Sequence, residues 1–256
     1  MTEISNSSFD FCTSLENAFR RCYDLEFKNT SFKRNTNYPI TTLNGAFIWN
    51  HKLSASDKQT IFKTFISGND RLTSISNCLR GCGTDNSWQI PSGFKLPSSI
   101  TNAYGAFYDS NLRNSASSNT ITGLFDNCIN LKEVNAIFGN NKNFSYIPAN
   151  LFKNCPIIHA SRCFSNTGIT SLPENLFKDD TPYLNISFFC EKCTSLTDAD
   201  SIKKFLNAHS NIVNANFAFR DTGITDLPSG LFNNLVHLRE ASGMFYECKS
   251  LITLPK

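Results

Sequence analysis

Thr222-Gly223-Ile224-Thr225-Asp226-Leu227-Pro228 repeats Thr167-Gly168-Ile169-Thr170-Ser171-Leu172-Pro173 at a distance of 55 residues, and Cys193-Thr194-Ser195-Leu196 falls between the two. The underlying period is therefore about 27 or 28 residues. Self-similarity at that spacing marks an architecture of stacked units. An anchor position can be followed outward from these segments: Phe19, Phe47, Leu79, Phe107, Phe138, Phe164, Cys190, Phe219 and Phe245, spaced 26 to 32 residues apart. Seven of the nine anchors are Phe, which accounts for part of the 23 Phe in a chain with only 7 Tyr and 2 Trp.

Other positions keep step with the anchor. Four residues before it come Leu15, Leu43, Ile75, Ala103, Val134, Ala160, Ile186, Ala215 and Ala241. Seven before it come mostly aliphatic residues, with Tyr183 in the seventh unit. Three after it stands a small or polar residue: Cys22, Asn50, Cys82, Ser110, Asn141, Thr167, Cys193, Thr222 or Cys248. An apolar residue follows at five or six, except in the third unit, where Asp85 takes the slot. Further on, an apolar-Pro pair recurs at Ile90-Pro91, Ile147-Pro148, Leu172-Pro173, Leu227-Pro228 and Leu254-Pro255.

One such unit cannot bury its apolar ladder alone, whereas stacked units cover each other's faces. The expected fold is a repeat solenoid: a β-rich leucine-rich-repeat type with short parallel strands and a few short helices, about nine coils of 26–32 residues, spanning 1–256 as one domain. Pro biases its predecessor toward extended geometry, so the piece before each Pro should be a short strand. The pattern from Leu238 to Phe245 suits a short helix. Ser56-Asp57-Lys58-Gln59 reads as a capping box with Ile61, Phe62 and Phe65 behind it. Asp198 to His209 reads as a second helix with Ile202, Phe205 and Leu206 on one face, and 111–119 as a polar loop. Gly168 and Gly223 are expected at positive φ.

The string Leu238-Arg239-Glu240-Ala241-Ser242-Gly243-Met244-Phe245-Tyr246-Glu247-Cys248-Lys249-Ser250-Leu251-Ile252-Thr253-Leu254-Pro255 resembles the BspA-like leucine-rich repeat, with its Ala-Phe-x-x-Cys-x-x-Leu core and following apolar-Pro pair. Ala18-Phe19-Arg20-Arg21-Cys22-Tyr23-Asp24-Leu25 matches the same core. The units here are longer than the family's, and Asn, Ser or Thr replaces Cys in five of them. The resemblance implies a parallel solenoid and surface proteins of host-associated bacteria that bind host proteins or other cells. It brings no catalytic residues.

Composition narrows the function. With 40% apolar and 18% charged residues the chain is neither a disordered tail nor a coiled coil, and a net charge of +3 gives no case for nucleic acid. No apolar run approaches the roughly 20 residues needed to span a bilayer, so no membrane insertion is expected. The N-terminus does not read as a secretory signal. Cys190-x-x-Cys193 occupies two repeat slots, so core packing explains it better than a metal or redox role. His51, His159, His209 and His237 fall at different repeat phases. No nucleophile elbow, phosphate loop or dinucleotide turn is present, so no catalytic residue, metal or cofactor is assigned. Four sequons, at Asn6, Asn29, Asn143 and Asn185, are what chance gives a chain with 31 Asn. All ten Cys are expected free, with Cys128 and Cys155 the candidates for a bridge in an oxidising compartment.

Trp49, Trp88, Tyr104 and Tyr108 lie outside the ladder positions and are the candidate binding residues, because aromatics on a rigid scaffold are frequent contacts. The leading expectation is a non-enzymatic recognition module of a bacterial surface adhesin, binding a protein or host-surface ligand. The alternative is a structural spacer or a fibre segment, including that of a phage virion. Uncapped coils would also offer end-to-end contact. Localisation is extracellular or at the cell surface if the chain belongs to a longer secreted protein; a virion or the cytoplasm is the other reading.

Overall fold

Around each anchor the backbone N–H groups alternate between two kinds of acceptor. In coil one, Leu15, Asn17, Phe19 and Arg21 donate to the carbonyls of Thr42, Asn44, Ala46 and Ile48 in coil two. The intervening Ala18, Arg20 and Cys22 donate three residues back, to Leu15, Asn17 and Phe19. The inter-coil bonds recur at every junction, ending with Ala215, Phe217, Phe219 and Asp221 on coil nine, at 2.6–3.1 Å. A parallel ladder one residue wide accompanies them, from Ser14 through Thr42, Ser74, Asn102, Glu133, His159, Asn185 and Asn214 to Glu240. These features belong to a computed structural model that describes residues 11–27, 40–83, 87–178 and 181–254. Asp85, Pro255 and the sequons at Asn6 and Asn29 lie outside the described residues.

The stack is a repeat solenoid, but it is not β-rich. Among the described residues the regular strands are β1 (Leu184–Asn185) and β2 (Ile212–Asn214), paired in parallel. Successive three-residue turns keep bending the chain, so pairing between coils stays isolated. Leu238 to Phe245 is likewise not a helix: Glu240 pairs with Asn214 in the ladder and turns begin at Ser242. The turns demand positive φ two residues before and two residues after each anchor, where φ lies between 51° and 68° in every coil. Asn17, Gly45, Asn77 and Gly105 meet that demand in one column, as the third position of a type II turn prefers. Trp49, Phe188 and Phe217 adopt the same geometry at a cost of about 1–2 kcal/mol each.

Gly168 and Gly223 are absent from the positive-φ set. Their role is close approach: a Cβ on Gly168 would stand 2.4 Å from the Lys142 carbonyl oxygen, and one on Gly223 2.4 Å from that of Thr194. Backbone cannot swing aside as a side chain can. Gly223→Ala is therefore expected to cost about 1–3 kcal/mol in urea denaturation, the range for forced overpacking. A loss no larger than that of Asp226→Ala would show that the approach has slack.

Anchor rings stack along the axis: Phe19 on Phe47 at 5.3 Å, Phe107 on Phe138 at 5.8 Å, Phe138 on Phe164 at 5.7 Å and Phe219 on Phe245 at 5.7 Å. The two coils without a Phe anchor are those beside the helical insertions. Next to Leu79, helix α1 (Ala55–Ile61) runs into a π-helical turn (Phe62–Ile66), which delivers Phe62 against Phe107 and Phe65 against Phe47. Next to Cys190, helix α2 (Ala199–Ala208, N-capped by Asp198) delivers Phe205 against Phe189 at 5.5 Å. The insertions thus restore aromatic volume that the anchors lack.

The cap of α1 is Ser54, two residues before the expected box: Ser54 Oγ accepts from the Asp57 N–H, and the Asp57 carboxylate accepts from the Ser54 N–H. Lys58, read as part of the cap, is instead fully buried. Tyr183, placed seven before an anchor, is 66% exposed, and Leu184 is buried in its stead. The β1–β2 register slips at Leu184/Asn185, so coil seven is one residue short on this side.

Candidate functional site

The positive-φ turns line up as one face of the solenoid. Residues three and two before the anchor, and one and two after it, present their side chains there in columns. Trp49, half-buried at φ 62°, lies over Gly81 of the next coil, where a Cβ would come within 2.4 Å of its ring. Its neighbour His51 stacks on Tyr23 with centroids 5.5 Å apart. The Arg80 guanidinium sits 4.8 Å above the Tyr108 ring and donates to Asn77 Oδ1 at 3.1 Å. Tyr104 is exposed on the same coil as Tyr108. Trp49, Tyr104 and Tyr108 therefore share one surface.

Trp88 does not join them. It is 1% exposed, and its Nε1 donates to the Ser110 carbonyl at 2.8 Å. Its off-ladder position reflects packing under the helical insertion, against Phe62 at 5.8 Å and Phe107 at 6.3 Å. Trp88 is a core residue and leaves the set of contact candidates.

A cavity of about 470 Å³ opens on the turn face across coils one to three. Its lining includes Trp49, Arg20, Arg80, Glu16, Asn44 and Asn77. Two guanidiniums and an indole offer planar cation contacts and an aromatic platform, while the Asn amides both donate and accept. Further along, Arg162 lies 4.0 Å over the Phe188 ring, Phe188 stacks on Phe217 at 5.1 Å, and Arg220 lies 5.3 Å over Tyr246. Arg220 also pairs with Glu191 at 3.3 Å and Glu247 at 2.6 Å. The hydrogen bond from Arg220 holds the Glu247 carboxyl below its usual range. This second aromatic–arginine run escaped the sequence reading. Phe188 and Phe217 were hidden in the general Phe excess, although both stand two residues before an anchor and thus off the ladder.

The remaining polar side chains serve the interior. Cys82, Cys193 and Cys248 donate to the carbonyls of Phe47, Phe164 and Phe219 in the preceding coil, at 2.8, 3.0 and 3.1 Å. Asn141 fills the same slot and donates to Phe107 and Phe138, both at 2.8 Å. Burial pushes the Cys163 and Cys190 thiols well up. His209 is a core residue: its Nε2 accepts from the Phe177 N–H at 3.2 Å, which leaves Nδ1 to donate to the Phe205 carbonyl at 2.7 Å. Among the described residues no three His, Cys, Asp or Glu are grouped to hold a metal, and no helix is long and apolar enough to cross a membrane.

No protein-family model matches the chain, and no curated protein matches it. Among solved structures it is similar to a leucine-rich repeat protein from Bacteroides ovatus ATCC 8483, with 15% identity and a TM-score of 0.47 over 90% of this chain. The chain spans 58% of the length of that protein.

Proposed function

We propose that this chain is a non-enzymatic recognition module of the BspA-like leucine-rich-repeat type, which binds a protein or cell-surface ligand through its turn face. The observation that carries this reading is the run of aromatic and Arg side chains on that face, held by turns hydrogen-bonded to the neighbouring coil. Rigid aromatic and Arg groups dominate binding energy at protein interfaces. Holding Trp49, Phe188 and Phe217 at unfavourable φ costs stability, which fits side chains kept for contact. An adhesin role at the surface of a bacterium follows from the motif resemblance.

The test is binding of labelled protein to cultured epithelial cells and to immobilised matrix proteins. Saturable binding is expected, and Trp49→Ala combined with Arg80→Ala should weaken it by about 30-fold or more, the effect of losing a hot spot. Substituting Lys153 and Asn154, on a different part of the coil surface, should leave it unchanged. Absence of saturable binding to any of these surfaces would favour the spacer reading.

A further inference from the structure

We propose that the cleft formed where coil seven loses a residue binds a small monocarboxylic acid with an aromatic or branched aliphatic tail. The cleft, of about 410 Å³, is lined by Lys132, Pro156, Ile158, His159, Thr181, Pro182 and Tyr183. That volume is in the range of small-molecule sites. It lies on the flank that precedes each anchor by five to nine residues, away from the turn-face cavity, and does not depend on the function proposed for that face.

Three features separate it from an incidental groove. The register slip at Leu184/Asn185 opens a gap in an otherwise regular stack. Tyr183 takes φ 60° outside the repeating turn columns, is 66% exposed and lines the cleft. Thr181 is only 4% exposed, yet among the described residues its Oγ1 has no hydrogen-bond partner, while its carbonyl accepts from Asn211 Nδ2. A buried hydroxyl without a partner costs about 1–3 kcal/mol, which a ligand oxygen would recover.

The lining sets the ligand class. Pro156, Ile158, Pro182 and the Tyr183 ring form apolar walls for a ring or branched chain. Lys132 supplies an exposed ammonium with no ion pair among the described residues, and Thr181 supplies a short-range donor. A carboxylate satisfies both. Glu133, next to Lys132 in sequence, turns back on itself: its Oε1 accepts from the Asn135 N–H at 3.3 Å; Asp179 and Asp180, which precede Thr181, lie outside the described residues. His159 stands at the rim, exposed.

Calorimetric titration of the full chain with 3-phenylpropionate, 4-methylpentanoate and 3-phenylpropanamide tests this. The acids should bind at least about tenfold more tightly than the amide, and Lys132→Gln should erase that preference. Tyr183→Gly should weaken the acids by about tenfold or more without lowering the melting temperature, because Gly adopts φ 60° freely. Thr181→Val should weaken them with the fold intact. Equal binding of acid and amide, undiminished binding by Tyr183→Gly, or no saturation below about 10 mM, the weak end of specific recognition, would overturn the proposal.

Discussion

Phe164→Ala is expected to lower stability by about 3–5 kcal/mol, the range for truncating a buried Phe whose surroundings cannot close. Phe164 is fully buried, with Phe138 at 5.7 Å on one side and Phe189 at 5.3 Å on the other. Both neighbouring coils are held at fixed separation by backbone hydrogen bonds, so neither can settle into the void. Asp226→Ala, on an exposed side chain, should stay within about 0.5 kcal/mol. Urea denaturation of both variants decides the matter. Equal losses would mean that the anchor column does not carry the core.

Lys58→Met is expected to raise stability at pH 7 by about 3 kcal/mol, the free energy of a shift of this size. Lys58 is fully buried, its Nζ 3.3 Å from the Ser110 carbonyl and 5.7 Å from the Trp88 ring centroid. Loss of hydration pulls its pKa down from 10.5 to about 8, against the weaker pull of Cys82 and Asp57. The folded chain thus binds fewer protons than the unfolded chain between about pH 8 and 10.5. Stability of the wild type gains with pH through that window, and the advantage of Lys58→Met shrinks. Buried thiols work the other way above pH 9, since burial raises Cys78 and moves Cys82 up to about 11. The Lys58 charge lowers the Cys82 pKa, so the two denaturation curves are compared between pH 7 and 9, below the titration of Cys82 in the folded chain. A gap that does not change with pH, or a variant less stable than wild type, would refute the assignment.

The register was legible in the sequence because the anchor column is strongly selected for Phe. The turn geometry was legible too, though unread: Asn17, Gly45, Asn77 and Gly105 announce a column of positive φ through residue type alone. The strand expectation failed because an apolar-Pro pair sets local extension but says nothing of pairing width. Trp88 and Lys58 were misplaced for a shared reason. Both belong to segments inserted between anchors, and the insertion folds back over Leu79, where burial depends on which gap in the stack needs filling. Tyr183 failed because a one-residue deletion is invisible when unit lengths already vary from 26 to 32. On the turn face, Trp49, Tyr104 and Tyr108 were found by exclusion from the ladder. Arg20, Arg80, Phe188 and Phe217 were not, because their clustering needs the coil-to-coil spacing.

The alternation of backbone donors has an electrostatic consequence. In an ordinary parallel sheet the peptide groups of a strand point alternately to either side, and their dipoles nearly cancel. Here the four bridging peptide units around each anchor point the same way, N–H toward the next coil and C=O toward the one before, and they outweigh the reverse column in which Thr41 donates to Thr13, Thr73 to Thr41 and Thr101 to Thr73. Those between the bridging units close local turns. Four columns of hydrogen-bonded peptides therefore run head to tail along the axis from Leu15, Asn17, Phe19 and Arg21 onward, as the peptide columns of an α-helix do. The solenoid is an electrically polar rod, negative toward coil one and positive toward coil nine. Any coil joined to either end would be oriented by that field, with like ends repelling and opposite ends drawn together.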